Sequence, residues 1–441
     1  MSTTTALAPT VSPATPIPPA PSATNRLVRR LLPLHVAVLL QNVMLWVSVE
    51  KLFLDEIGFD PASVGVMAAA YAAVVPLIEV PSGILADRWS RRGVLMLATV
   101  ALLVSVTIGG FSHSVTAYIV GALFLGVYFA LQSGTVDAVV YDTVLEETGS
   151  GDAFERRIGR IRMVESAGLV SSALLGGWLA SVTSPRLTYF LTLPFLVAAT
   201  VALLAFREPH LHQAAERTSL RTHVATTYRA MTQRGCLLPL IGVMVLTSLL
   251  ANVIFEFGPL WLVALAAPAV LYGPQWAGLM SSFGLAGLLA GRLRLGDPHR
   301  MGAVVAAMLG SSVVMATVRD AVVVTAAQLV LAVLALMLGI LLTARLHDAV
   351  PSAVRSGVAS GVSTFSWIAF LPFALLFGYV SNQAGVYTAG WLIVAATAGA
   401  GVLLVRLSLS VQGASGAAAD VHADRPLACP GWAAAPATAG R

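Results

Sequence analysis

The chain has 441 residues, of which 57% are hydrophobic and 11% charged, with a mean hydropathy of +0.83; soluble domains carry about a quarter charged residues, so a water-soluble globular protein is excluded. The formal net charge is +5, but the arginines lie scattered between apolar runs and form no single basic patch, which excludes a nucleic-acid surface and makes the excess a matter of membrane topology.

Residues 1–28 are rich in Pro, Thr, Ser and Ala, cannot bury enough apolar surface to fold, and read as a disordered tail. Arg26, Arg29 and Arg30 then precede an apolar run of spanning length with no A-x-A-like site behind it, so the run is a retained first helix and not a signal peptide. A bilayer core takes about 20 apolar residues per helix. Runs of that length stand at 31–54, 63–85, 93–112, 115–145, 158–182 and 187–206. Residues 207–235 hold Arg207, Glu208, Glu216, Arg217 and further arginines and histidines, and read as a cytoplasmic linker. Six more runs follow at 236–263, 272–291, 301–318, 321–347, 354–381 and 385–406, before a Gly/Ala/Pro-rich tail, 407–441. The predicted fold is therefore an all-α membrane protein of twelve transmembrane helices in two six-helix bundles, 29–206 and 236–406. The long first, fourth and seventh runs are expected to kink or protrude.

Orientation follows from the short loops. Arg88, Arg91, Arg92, Arg156, Arg157, Arg160, Arg292, Arg294, Arg300 and Arg355 fall on the same side as the N-terminal arginines, against Arg186 and Arg319 on the other. The positive-inside rule then puts both termini in the cytoplasm, in a bacterial plasma membrane by composition. Cys236 and Cys429 show no metal-ligand spacing, so no disulfide, metal or other cofactor is expected.

The densest charge sits in one turn between the second and third runs, where Gly83, Leu85, Ala86, Asp87, Arg88, Arg91 and Arg92 form G-x-L-A-D-R-x-x-R-R. Gly287-Leu288-Leu289-Ala290-Gly291-Arg292-Leu293 ends the eighth run in the equivalent place but lacks the aspartate, which predicts asymmetric halves. With this motif, twelve runs and a polar linker, residues 29–406 resemble the major facilitator superfamily. The resemblance implies that Asp87 and Arg91 form a gating charge cluster against the start of helix eleven, near Ser352 to Arg355, where a helix N-terminus favours a carboxylate. It also points to an antiporter-type glycine pattern in the fifth run, met at Gly159, Gly168, Gly176 and Gly177, with Ser172-Ala173 where the pattern has Gly-Pro. Close helix packing explains such small residues equally well. In the fourth run Ala122 stands where proton-coupled exporters carry an arginine.

Charges inside a span cost about 2.5–3.5 kcal/mol each on insertion scales, so each needs a reason. Glu50 and Lys51 fall in the outer third of the first helix, where Lys51 is expected to snorkel outward, and Glu256 falls near the outer end of the seventh. Glu79, Asp137 and Glu165 fall in the inner half. The resemblance makes Asp137 a gate partner, with Asp142 below it, for Arg91 or Arg92; Glu79 joins the same cluster, and all five carboxylates from Glu50 to Glu256 outside helix five are gate or proton-coupling candidates. Helices one, four, seven and ten line the cavity in the resembled fold, which nominates Gln41, Asn42, Trp46, Tyr128, Gln132, Asn252, Phe255 and Gln328. Amide and aromatic chemistry without a central charge suits an amphipathic organic solute and not phosphate or nitrate. Export of a drug or natural product by a monomeric secondary transporter, with protons as the possible co-substrate, is the leading reading. Metabolite uptake or facilitated diffusion, and a non-transporting receptor of the same fold, stand beside it; a membrane enzyme does not, since no reactive constellation appears.

Overall fold

Apolar runs of this length can satisfy their backbone groups in lipid only within helices, and the computed structural model is helical in every regular element it describes. It describes residues 21–132, 135–149, 153–209, 237–290, 297–349 and 355–418. The first half comprises α1 (Pro21–Gln41), α2 (Glu50–Glu56), α3 (Pro61–Arg88), α4 (Arg91–Phe111), α5 (Val115–Gln132), α6 (Thr135–Thr148), α7 (Phe154–Val182) and α8 (Pro185–Ala205). The second comprises α9 (Leu238–Phe257), α10 (Leu260–Ala264), α11 (Tyr272–Ala290), α12 (Pro298–Thr317), α13 (Ala321–Ala349), α14 (Arg355–Ala384) and α15 (Val386–Ala418).

Local sequence sets several of these starts. Asp60-Pro61, Ser184-Pro185 and Asp297-Pro298 each place an oxygen-bearing cap before a proline whose missing N–H costs the first turn nothing. Ser90 does the same for α4 without proline, its Oγ accepting from Gly93 N at 2.8 Å.

Among the described residues ten segments are long and apolar enough to cross a membrane, which makes the chain a multi-pass membrane protein. The other two expected spans fall short for visible reasons. The first is broken: the backbone leaves the helix from Asn42 to Trp46, makes a 3-10 turn at Val47–Val49 and re-enters helix as α2. The eighth, α11, buries the polar Gln275 and Ser282 against protein. The seventh ends at Phe257 and continues as the short α10, so the expected irregularity of the long first and seventh runs is present. Helix extends into both expected tails, from Pro21 and as far as Ala418. Cys236 and Cys429, and most of the expected linker, lie outside the described residues.

The break in the first span has a partner. Gly168 and Gly176 of α7 face it, and a Cβ on Gly176 would overlap the Leu45 carbonyl. Ser172 Oγ donates to Asn42 O at 3.2 Å, and Leu45 N donates to Thr192 Oγ1 of α8 at 3.2 Å. Small residues of α7 thus let an unwound, polar piece of backbone lie deep in the protein, with Asn42 O and Leu45 N satisfied by side chains of α7 and α8.

Between the halves, α3 packs along α14 and α7 along α11. The backbones come closest at the ends remote from the arginine-bearing loops. A Cβ on Gly378 would stand 2.7 Å from Pro61 O and 2.9 Å from Gly65 Cα, and one on Gly177 would stand 2.6 Å from Gly273 N. A small apolar cluster of Val49, Ala180, Leu262 and Tyr272 seals the same end.

Candidate functional site: a cavity between the halves

The closed end leaves a cavity of about 1170 Å³ behind it, reaching from Glu50 and Glu256 toward Gly159, Arg162 and the 72% exposed Met163. It therefore opens at the arginine-bearing end. The walls differ. The first half supplies Asn42, Trp46, Tyr71, Tyr118, Tyr128, Gln132 and Tyr189 together with Glu50, Glu79 and Glu165. The second supplies mainly aromatic surface: Phe255 stacks on Phe283 with centroids 5.2 Å apart and meets Trp276 edge-on at 6.3 Å, beside Trp367.

At the closed end lies a buried ionic cluster. Lys51 is only 3% exposed. Its Nζ donates to Glu50 Oε2 at 2.7 Å and to Glu256 Oε1 at 2.5 Å. Tyr71 OH donates to the other Glu256 oxygen at 2.6 Å, and Tyr118 OH donates to the other Glu50 oxygen at 2.9 Å while lying 2.8 Å from Tyr189 OH. Lys51 therefore does not snorkel outward as its position suggested: α2 follows the break in the first span, which turns it toward Glu256 of α9, and that carboxylate together with Glu50 of α2 compensates its burial. Glu50 and Glu256, nominated separately from sequence, are brought together.

A second cluster lies at the arginine-bearing end. Arg91 pairs with Asp142 of α6 and donates to Ala138 O at 3.1 Å. Asp137 does not reach Arg91; it pairs with Arg162 of α7 at 2.8 Å, and Arg162 also meets Glu165 at 2.9 Å. The reason is geometric, since residues five apart on α6 lie on different faces. Glu208 accepts from the N–H of Arg91 at 2.5 Å and of Arg92 at 3.3 Å, and from Ser90 Oγ at 2.6 Å, so it covers the N-terminus of α4. Arg92 donates to Phe206 O at 3.1 Å, and Arg30 bridges Glu146 and Glu147 at 3.0 and 2.7 Å. The surroundings of Gly83, the side chains of Asp87, Arg88 and Arg355, and residues 291–296 and 350–354 lie outside the described residues, and with them the expected Asp87 contact and the end of the degenerate second motif.

Of the nominated cavity residues, Asn42, Trp46, Tyr128, Gln132, Asn252 and Phe255 line it. Gln41 and Gln328 do not. Gln41 Nε2 donates to Thr99 Oγ1 of α4 at 2.5 Å; Gln328 accepts from Gln275 Nε2 at 2.7 Å and donates to Gly258 O at 3.0 Å. Both are spent between helices because each faces a polar partner on its neighbour and not the cavity. Trp46 Nε1 and Gln132 Oε1 are buried at the cavity wall with no protein partner. Sequence reasoning missed Tyr71, Tyr118, Tyr189, Trp276 and Trp367. A signal existed: Met67, Tyr71, Val75 and Glu79 recur every four residues on α3, and Trp276, Met280, Phe283 and Gly284 share one face of α11, so each set forms a stripe.

A helical bundle of two halves around a solute-sized cavity defines a membrane transporter fold. Residues 31–367 match the Major Facilitator Superfamily, and the chain belongs to that family. It is similar to "Multidrug resistance protein 1" of Bacillus subtilis (strain 168), 25% identical over 169 residues, 38% of this chain and 42% of that protein. It is 32% identical to "MFS-type efflux transporter ffsH" of Aspergillus flavipes over 142 residues, 32% of this chain and 23% of the relative. "Probable nitrate transporter NarT" of Staphylococcus aureus (strain Newman) is 24% identical over 159 residues, 36% of this chain and 38% of the relative. Each match thus spans less than half the relative's length. Among solved structures, nucleoside transporter NupG is similar with a TM-score of 0.69 at 14% identity, covering 86% of this chain and 98% of that one. The inward-open xylose transporter XylE from E. coli gives 0.63 at 13%, covering 88% and 99%. These likenesses establish the fold.

Proposed function

We propose that the protein is a secondary transporter that exports an amphipathic organic compound by alternating access, and that its open face is cytoplasmic. The observation that carries this reading is the two-faced cavity. About 1170 Å³ accommodates a drug-sized molecule. An aromatic wall of Phe255, Trp276, Phe283 and Trp367 suits a planar apolar face, while the free Trp46 Nε1 and Gln132 Oε1 offer one donor and one acceptor to its polar side. Multidrug and efflux relatives accord with this; a nitrate-type substrate does not. The wall carries Glu50, Glu79, Glu165 and Glu256 against Arg162 and the adjoining Lys51, an excess of negative charge that repels a small anion.

In this reading the arginine bias keeps both termini and the 207–235 linker on the cytoplasmic side, with Arg91, Asp142 and the Asp87 turn as the inner gate. Everted membrane vesicles energised by a proton gradient should accumulate members of a panel of aromatic amphiphiles, and Trp46→Ala should reduce that uptake at least tenfold. Absence of accumulation across the panel, with the protein folded and inserted, would refute export.

A further inference from the structure

We propose that Glu256 is the carboxylate through which a proton opens the closed end, and that Lys51 is the chain's own cation, holding that site until the proton arrives. The inference rests on the alternating-access reading above and names its coupling residue.

The argument is one of allegiance. Lys51, Glu50, Tyr71, Tyr118 and Tyr189 all belong to the first half; Glu256 alone belongs to the second. In the closed arrangement every oxygen of both carboxylates is engaged: Glu256 by Lys51 and Tyr71, Glu50 by Lys51 and Tyr118. When the halves part at this end, Lys51 and Glu50 stay together as a compensated pair. Glu256 leaves with neither Lys51 nor Tyr71 and so loses the cation and the hydrogen-bond donor that compensate its charge in the closed state, a loss that costs free energy. Binding one proton from water, which forms a carboxyl O–H and removes the charge, relieves that penalty. Opening and protonation are then linked reciprocally: acid favours opening, and opening favours protonation.

Among the described residues no other ionisable group replaces Lys51 at Glu256. On α2, Asp55 and Glu56 lie one to two turns on toward the surface, and Glu56 interacts with Arg186 of α8. The rest of α9 carries no ionisable residue, α11 brings Tyr272 and α15 Tyr387 and Arg406; α13 and α14 carry charge only near their arginine-bearing ends. Among the described residues Glu256 is the one carboxylate whose salt-bridge partner lies across the halves at this end.

The test uses the full-length protein in lipid nanodiscs, with Cys236→Ser and Cys429→Ser and one reporter thiol, Ala180→Cys, in the apolar seal. Maleimide labelling rates are measured from pH 5 to 9 and normalised to the same thiol in denatured protein. The parent should label faster as pH falls, by up to about tenfold per unit for one linked proton. Glu256→Gln, neutral at every pH, should label fast and without pH dependence. A flat parent profile, or an unchanged profile in Glu256→Gln, overturns the assignment; a flat parent profile does so even where that variant does not fold. Gly378→Ala, which opens the seal sterically, separates the two levels: if it raises labelling while pH does not, only Glu256 is refuted. If neither moves it, alternating access at this end fails as well.

Discussion

The closed end depends on the absence of a single carbon atom. An ideal Cβ on Gly378 would lie 2.7 Å from Pro61 O and 2.9 Å from Gly65 Cα, all backbone atoms that no rotamer change can move. Optimal nonbonded separations are about 3.5–4.0 Å, so Gly378→Ala requires α14 and α3 to part by nearly 1 Å. Overpacking of this kind costs about 1–3 kcal/mol, and at 1.4 kcal/mol per tenfold the equilibrium shifts about 5- to 150-fold toward the state in which these helices separate. Gly310→Ala is the control, because a Cβ there meets nothing within 4 Å while the gain in helix propensity, about 1 kcal/mol, is the same. The assay is labelling of Ala180→Cys by a membrane-impermeant maleimide added to intact cells, in the background lacking Cys236 and Cys429. Ala180 sits at the other interface, between α7 and the second half, so it reports opening of the whole end and not local distortion. Labelling should accelerate about 5- to 150-fold in Gly378→Ala and not in Gly310→Ala. A folded Gly378→Ala protein that labels at the parent rate would show that the glycine approach does not hold this end shut.

Three further outcomes follow from the same geometry. Gly176→Ala, whose Cβ overlaps the Leu45 carbonyl, should displace the unwound part of the first span and lower stability in detergent by about 1–3 kcal/mol, measured by thermal unfolding. Asp142→Asn removes the charge of one partner of the largely buried Arg91 and should cost about 1–3 kcal/mol, whereas Asp137→Asn, in an exposed pair with Arg162, should cost less than about 1 kcal/mol; equal losses would contradict the assignment of Arg91 to Asp142. Gln328→Leu removes the bonds that Gln328 makes with Gln275 Nε2 and Gly258 O, leaving those two only their longer bond to each other at 3.3 Å, and should lower stability by about 0.5–1.5 kcal/mol while solute affinity, read by ligand-induced stabilisation, stays unchanged; a loss of affinity would put Gln328 in the cavity.

Sequence by itself determined the membrane class, most of the spans and the starts of several helices, because each follows from quantities local to the chain. A run of apolar residues must be helical in lipid wherever it packs, and Asp60-Pro61 caps a helix whatever lies beyond it. It also flagged Glu50 and Glu256 as charges needing a reason, and six of the eight nominated cavity residues line the cavity. Tertiary structure decided what those residues do. Glu256 lies 205 positions from Lys51, and no local pattern says that one ammonium is shared between two halves of the chain. The inward turn of Lys51 depends on the break at Asn42–Trp46, and that break depends on Gly168, Ser172 and Gly176 of a helix more than a hundred residues away. Amides such as Gln41 and Gln328 look alike in sequence to those facing a cavity, and only the neighbour each helix presents distinguishes a spent hydrogen bond from a free one. Burial and charge can be read along a chain; partnership is a property of the packed whole.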